Sequence, residues 1–273
     1  AVISILGYDP FRYYTGRGPL EIYGAGLKME EGNLAIRCNF ATASEDGTII
    51  DRRVGRNLTS EEASQLAQAL NDKIKLSSSP AEFIFKSTVA HRAVLLIKRL
   101  NGKLSGKITN TDPAYEKVEG IGVAKKEGGL KLERCRAMVN SEEAKVAANL
   151  VNEFTEKSQI ILRKHETNFK RVAEGKPPAN IILMRDAGDA LPKFPSLESL
   201  YNISFGCMVE MPVERGIALL CGMKELPLPQ STGNMEKDYA VRAEKTEEAL
   251  KRLDAIYIHI KGPDEPGHDG QCL

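Results

Sequence analysis

Two short apolar runs in the last third of the chain, Ile181-Ile182-Leu183-Met184 and Ala255-Ile256-Tyr257-Ile258-His259-Ile260, constrain the fold more than any other feature. The first is unbroken by polar residues, and both suit strands covered on their two faces. Between them, residues 201–211 read as a strand. Residues 212–220 read as a helix with proline in its first turn, and residues 236–253 as a long amphipathic helix. Apolar strands separated by helices indicate α/β architecture with a mostly parallel sheet and helices on both faces. Ligands bind such sheets beyond the carboxyl ends of the strands, and Asp264 and His268 lie just past one such end.

The earlier part of the chain has a different texture. Residues 1–6 read as a buried strand ended by the turn Gly7-Tyr8-Asp9-Pro10, and residues 34–42 alternate like a half-buried strand. A short strand, 49–51, runs into Arg52-Arg53-Val54-Gly55-Arg56. Thr59 and Glu62 form a capping box before a helix whose apolar face is Ala63, Leu66, Ala67, Leu70 and Ile74. Strands follow at 82–85 and 90–97, and Ser141 caps a helix running to about Leu162. Texture changes near Gly32 and Pro177-Pro178 predict a discontinuous core, 1–32 and 178–273, with an α+β domain inserted over 33–177.

A net charge of +1 supplies no overall field for nucleic acid or an anionic membrane, so anion affinity must come from clustered basic residues. Five widely spaced cysteines with no C-x-x-C pair indicate a reducing compartment, the cytoplasm. No apolar run approaches the roughly 18 residues of a membrane span, and no secretory signal opens the chain. The sequence starts without an initiator Met, which suggests that it begins inside a longer protein.

The turn Asp264-Glu265-Pro266-Gly267-His268 sets a carboxylate and an imidazole four residues apart, donors that suit Mn²⁺, Zn²⁺ or Mg²⁺. Spacing alone also admits a solvated acidic turn with an incidental histidine. Arg52, Arg53 and Arg56 follow a short strand, where their forks would meet oxyanions; the alternative is solvated surface charge. His91-Arg92 falls at a strand start, and Arg37 and Asn39 share one face of a strand. His165, Asn168 and Arg171 fit a structural role at the return to the core.

The segment from Tyr257 to Gly270, with Gly262-Pro263-Asp264-Glu265-Pro266-Gly267-His268, resembles a signature of the cofactor-independent phosphoglycerate mutase family, archaeal branch. Similar to the same family, in order, are Gly7-Tyr8-Asp9-Pro10 leading to Tyr14-Thr15-Gly16-Arg17-Gly18-Pro19-Leu20-Glu21, Arg37-Cys38-Asn39-Phe40-Ala41-Thr42, Asp51-Arg52-Arg53-Val54-Gly55-Arg56, His91-Arg92, Asn110-Thr111-Asp112-Pro113, and His165-Glu166-Thr167-Asn168-Phe169-Lys170-Arg171 with Gly175-Lys176-Pro177-Pro178-Ala179-Asn180. The resemblance implies an alkaline-phosphatase-like core holding two divalent metal ions, with Mn the first choice and Mg, Zn or Co as alternatives. It implies interconversion of 3-phosphoglycerate and 2-phosphoglycerate through a phosphoserine, without 2,3-bisphosphoglycerate. Asp264 and His268 match ligands of one metal. Arg52 and Arg56, with Arg53, His91, Arg92, Arg37 and Asn39, match or flank the substrate-binding positions. The family's nucleophilic serine falls upstream of Ala1, so no catalytic residue is assigned here. The alternatives are another phosphatase or phosphomutase of that superfamily, or a non-catalytic protein on the same fold.

Overall fold

The computed structural model describes residues 2–118, 121–125, 130–228, 232 and 234–260. The chain opens with the short helices α1 (Val2–Ile5) and α2 (Pro10–Tyr13), then α3 (Arg17–Gly24), β1 (Leu34–Ala43) and β2 (Ile49–Asp51). A 3-10 turn (Val54–Arg56) leads to α4 (Ser60–Lys73), β3 (Ala81–Ser87), β4 (Arg92–Arg99), β5 (Tyr115–Val118) and β6 (Ile121–Ala124). Next come α5 (Glu142–Arg163), α6 (Glu166–Ala173), β7 (Ile181–Gly188) and α7 (Leu197–Tyr201). The described chain closes with β8 (Phe205–Met208), α8 (Pro212–Leu220), β9 (Lys224–Glu225), α9 (Met235–Ala249) and β10 (Ala255–Ile258).

Two compact units emerge, Tyr14–Pro192 and the pair Ala1–Tyr13 with Lys193–Leu273. The expected joints, 32/33 and 177/178, differ from the boundaries of these units, 13/14 and 192/193. The reason is β7, which pairs with β1 from Ala41↔Ile181 to Ala35↔Gly188 and so belongs to the larger unit. That pairing is antiparallel, which corrects the parallel reading of the run at 181–184. An unbroken apolar strand requires only that both faces be covered.

In the larger unit β1 is central, flanked by β4 and β7, with β3 beyond β4 and β2 at the end of β1. All these pairs are antiparallel. Every residue of β1 is buried, not half-buried as its alternation suggested. One face packs on α4 and α5, where Leu66, Leu70, Leu150, Val151 and Phe154 join Leu34, Ile36, Cys38, Phe40, Leu95 and Ile97. The Thr59–Glu62 capping box and the Ser141 cap start these helices as the sequence predicted. The other face receives α3. A Cβ on Gly18 would collide with the Ala35 carbonyl, so this close approach needs glycine. His165 caps α6, Asn168 bonds Leu162 and Ala179, and buried Arg171 reaches Glu62 at 2.8 Å and the Pro177 carbonyl at 3.0 Å. These three residues clamp the chain before it enters β7.

In the smaller unit, β10, β8 and β9 form a parallel sheet. Here residues 2–5 are helical, where the sequence suggested a strand. The Tyr8 hydroxyl donates to the Pro195 carbonyl at 2.6 Å, and its ring packs on Tyr13 and Phe194, tying the N-terminal segment to this unit. Helix α9 buries only Ala249, a thinner apolar stripe than expected. Cys38, Cys135, Cys207 and Cys221 are free and buried. Among the described residues no helix is long and apolar enough to cross a membrane.

Strand β3 is a sheet edge, and Asn71 of α4 covers it: Asn71 Oδ1 accepts from the Phe85 N–H at 2.9 Å and Nδ2 donates to its carbonyl at 2.8 Å. Asn71→Leu is expected to cost about 1–3 kcal/mol in urea denaturation, because two backbone groups lose their partners. It should also promote concentration-dependent association in sedimentation velocity. Glu153 of α5 accepts from Lys157, Ser78 and Ser77; these bonds outweigh burial and hold its pKa at about 2, below 4.5. Its stabilising contribution is therefore present above the unfolded value and lost as pH falls from 4.5 towards 2. Glu153→Gln should flatten that part of the stability–pH curve.

Candidate functional site

Since Leu34, Ile36, Cys38 and Phe40 of β1 enter the main core, Ala35, Arg37, Asn39 and Ala41 face the opposite side. Ala35 joins Ile22, Val94 and Leu96 beneath α3, and Ala41 joins Ala43, Ile49, Ile181 and Leu183 further along. Arg37 and Asn39 make a polar band between these two apolar patches. By the same alternation Arg92 of β4, the register partner of Asn39, stands on this face.

Arg37 lies directly opposite Arg185 of β7. Two cations in that relation repel. Two buried carboxylates offset the repulsion. Arg17 Nε donates to Glu21 Oε1 at 2.6 Å, and Arg37 Nε lies 3.3 Å from the same oxygen, an ionic contact without hydrogen-bond alignment. Asp112, fully buried, accepts from Arg185 Nη1 through Oδ2 at 2.6 Å and from Arg52 Nη2 through Oδ1. Each carboxylate thus holds one buried guanidinium and one whose side chain is about a third exposed, Arg17 at 33% and Arg52 at 31%. The Tyr115 ring lies 4.0 Å from Arg185 Cζ and 5.8 Å from Arg52 Cζ.

A bulge in β7 assembles the arrangement. One extra residue intervenes between Arg185 and Gly188 against β1, and Asp186 takes φ 57. The Asn110-Thr111-Asp112 segment lines the edge of β7. Asn110 Oδ1 accepts from the Asp186 N–H, Thr111 Oγ1 from the Met184 N–H, and the Met184 carbonyl accepts from the Thr111 and Asp112 amides. The β5–β6 hairpin approaches Asp186 closely enough that a Cβ on Gly122 would strike its Oδ1. Lys117 Nζ donates to the Gly106 and Ala187 carbonyls at 2.8 Å each.

Electrostatics follow from this burial. Desolvation, against the pull of Glu21, lowers the pKa of Arg37 to about 10. Desolvation also lowers Lys117, and Asp186 opposes the shift. The Tyr14 phenol is pushed up by burial and then by the charge of Asp186. Arg17, Arg37, Arg52, Arg185 and Lys117 outnumber Glu21, Asp112 and Asp186, so the band is electropositive.

Of the residues singled out by sequence, Arg37, Asn39, Arg52 and Arg92 fall on or beside this band. Arg53 and Arg56 are exposed on the turn after β2, which Asp51 shapes by accepting from the Arg53 and Gly55 amides at 2.6 and 2.8 Å. His91 is buried in the β3–β4 turn, its carbonyl accepting from the Phe40 N–H at 2.7 Å. Asp264 and His268 lie outside the described residues. Among the described residues no group of three or more His, Cys, Asp or Glu could hold a metal. Sequence reasoning missed Tyr115 and Arg185, and it gave Arg17, Glu21 and Asp112, all within family-like stretches, no charge-pairing role. One signal was present: Arg185-Asp186 places two charges directly after an apolar strand, where buried charge must be paired.

Residues 1–168 match the family model of 2,3-bisphosphoglycerate-independent phosphoglycerate mutase. The chain belongs to this family. A relative carrying that family name in Aeropyrum pernix is 44% identical over 274 residues, covering 99% of this chain and 64% of its own length. Another from Methanosphaera stadtmanae is 39% identical over 275 residues, covering 100% and 63%. The chain thus spans under two thirds of the length of these relatives. A solved cofactor-independent phosphoglycerate mutase from Thermoplasma acidophilum matches with a TM-score of 0.59 and 32% identity over 96% of this chain and 63% of that one. A Pyrococcus horikoshii structure, at 24% identity and a TM-score of 0.68 over 99% and 57%, shares the fold.

Removing one shared carboxylate should leave buried charge uncompensated. Glu21→Ala is expected to destabilise the protein by about 3–5 kcal/mol in urea unfolding, and Glu21→Gln by less. A loss below about 1 kcal/mol for Glu21→Ala would mean that Arg37 finds another counterion.

Proposed function

We propose that the chain acts as a phosphoglycerate mutase that needs no 2,3-bisphosphoglycerate, interconverting 3-phosphoglycerate and 2-phosphoglycerate through a phosphoserine. The family match over residues 1–168 carries the reading. The electropositive band adds physical support, because a phosphoglycerate presents a phosphate and a carboxylate, both suited to guanidinium forks. On this reading the unit Tyr14–Pro192 is the substrate-binding insert, and the smaller unit with its parallel sheet belongs to the alkaline-phosphatase-like core.

Arg52, part-exposed and held by Asp112, neutralises substrate charge, with Arg53 and Arg56 on the adjoining turn and Arg92 across the face. Arg37, Asn39 and buried His91 form the floor and its edge. Asp264 and His268, an oxygen and a nitrogen donor, would hold one of two divalent ions, with Mn the leading candidate. Bound metal supplies Lewis acidity that favours the alkoxide of a nucleophilic hydroxyl and offsets charge on the phosphoryl group. The serine itself is assigned to no residue of this sequence.

The test is a mutase assay on the full natural protein with added Mn²⁺ and no 2,3-bisphosphoglycerate. Interconversion is expected. Release of inorganic phosphate without interconversion would replace the mutase reading with a phosphatase. Arg52→Ala should lower kcat/KM by on the order of 10- to 100-fold, through loss of a charge-assisted hydrogen bond. Asp264→Asn should weaken Mn²⁺ binding in titration calorimetry and abolish turnover; unchanged binding would remove Asp264 from the site.

A further inference from the structure

Asp112 has no acid–base task in the reading above, yet it is among the most completely buried charged groups in the larger unit. Its Oδ2 is taken by Arg185 Nη1 at 2.6 Å; its Oδ1 accepts from Arg52 Nη2 and from the Ala114 N–H at 3.1 Å. Arg185 is itself immobilised, buried in β7 and stacked at 4.0 Å on Tyr115. The Asp112 backbone is fixed to the Met184 carbonyl at 3.2 Å, and the neighbouring Asn110 side chain bonds the Asp186 amide and the Tyr115 carbonyl. Asp112 therefore cannot follow Arg52. The mobile partner is the arginine, whose long side chain loses its rotamer freedom against a rigid carboxylate and the Tyr115 ring.

We infer that Asp112 is a positioning residue: braced by Arg185 and Tyr115, it pre-orients the Arg52 guanidinium towards a phosphoglycerate oxyanion. The inference rests on the reading of Arg52 as a substrate-binding residue. Pre-orientation lowers the entropy lost on binding, so its removal should appear in affinity more than in turnover. Arg185 adds a second cation beside the shared carboxylate and leaves the Asp112–Arg52–Arg185 group with a net positive charge, so that the tether does not cancel the attraction for an anion.

The experiment is a double-mutant cycle on the full natural protein, with KM and kcat for 3-phosphoglycerate measured for wild type, Asp112→Asn, Arg52→Ala and the double variant. Asparagine keeps the Asx turn at Ala114 but serves two guanidiniums poorly. Asp112→Asn is expected to raise KM about tenfold with kcat within about threefold, and to add less than about twofold to KM in the Arg52→Ala background. Equal effects of Asp112→Asn in both backgrounds would make it a structural residue and overturn the inference. An effect of Arg52→Ala alone, with none from Asp112→Asn, would overturn it too. If Arg52→Ala leaves both constants unchanged, the substrate-binding reading of Arg52 fails instead. Should Asp112→Asn not fold, Tyr115→Leu removes the brace from the other side. A several-fold rise in KM that vanishes in the Arg52→Ala background supports the inference, and an unchanged KM refutes it.

Discussion

Two guanidiniums, Arg37 and Arg185, face each other across the centre of an antiparallel sheet, and the larger unit is organised around making that tolerable. Glu21 comes from a helix that packs tightly because Gly18 has no side chain; Asp112 comes from a segment laid along the outer edge of β7. Neither carboxylate is consumed by its buried partner. Each also holds a part-exposed arginine, Arg17 or Arg52, so the charge compensation that stabilises the interior also fixes cations at its margin. The same carboxylates thus serve the buried and the part-exposed charges.

The β7 bulge shows why the sheet is irregular where buried charges are densest. Without the extra residue at Asp186, the strand alternation that turns Arg185 towards Arg37 would place Ala187 out of the main core. The bulge lets both side chains keep their faces. It also presents the Asp186 carboxylate to Tyr14 and Lys117, whose pKa values shift in opposite directions, up for the phenol and down for the amine, with burial the leading cause in each.

Local signals were legible in the sequence wherever one element decides its own structure. The Thr59–Glu62 box, the Ser141 cap, the proline-initiated helix at Pro212 and the apolar runs at 181 and 255 all appear as elements close to their expected limits. Pairing was not legible. An apolar run cannot state whether its neighbour is parallel, so β7 was placed in the wrong sheet and the unit joints were displaced with it. The candidate site divides in the same way. Arg37, Asn39 and Arg52 carried family resemblance and lie on or beside the band. Tyr115 and Arg185 join the band only through contacts with residues distant in sequence, such as the Asp112–Arg185 bridge.

The account depends on part-exposed Arg52 meeting the ligand while buried Arg185 stays fixed on the carboxylate they share. Arginine Nε–H resonances of the full natural protein, followed by NMR during titration with 3-phosphoglycerate, test this directly. The Arg52 resonance should shift and slow its exchange with water on binding, while the resonance of buried Arg185 stays nearly constant. An Arg52 resonance indifferent to saturating ligand would contradict the account.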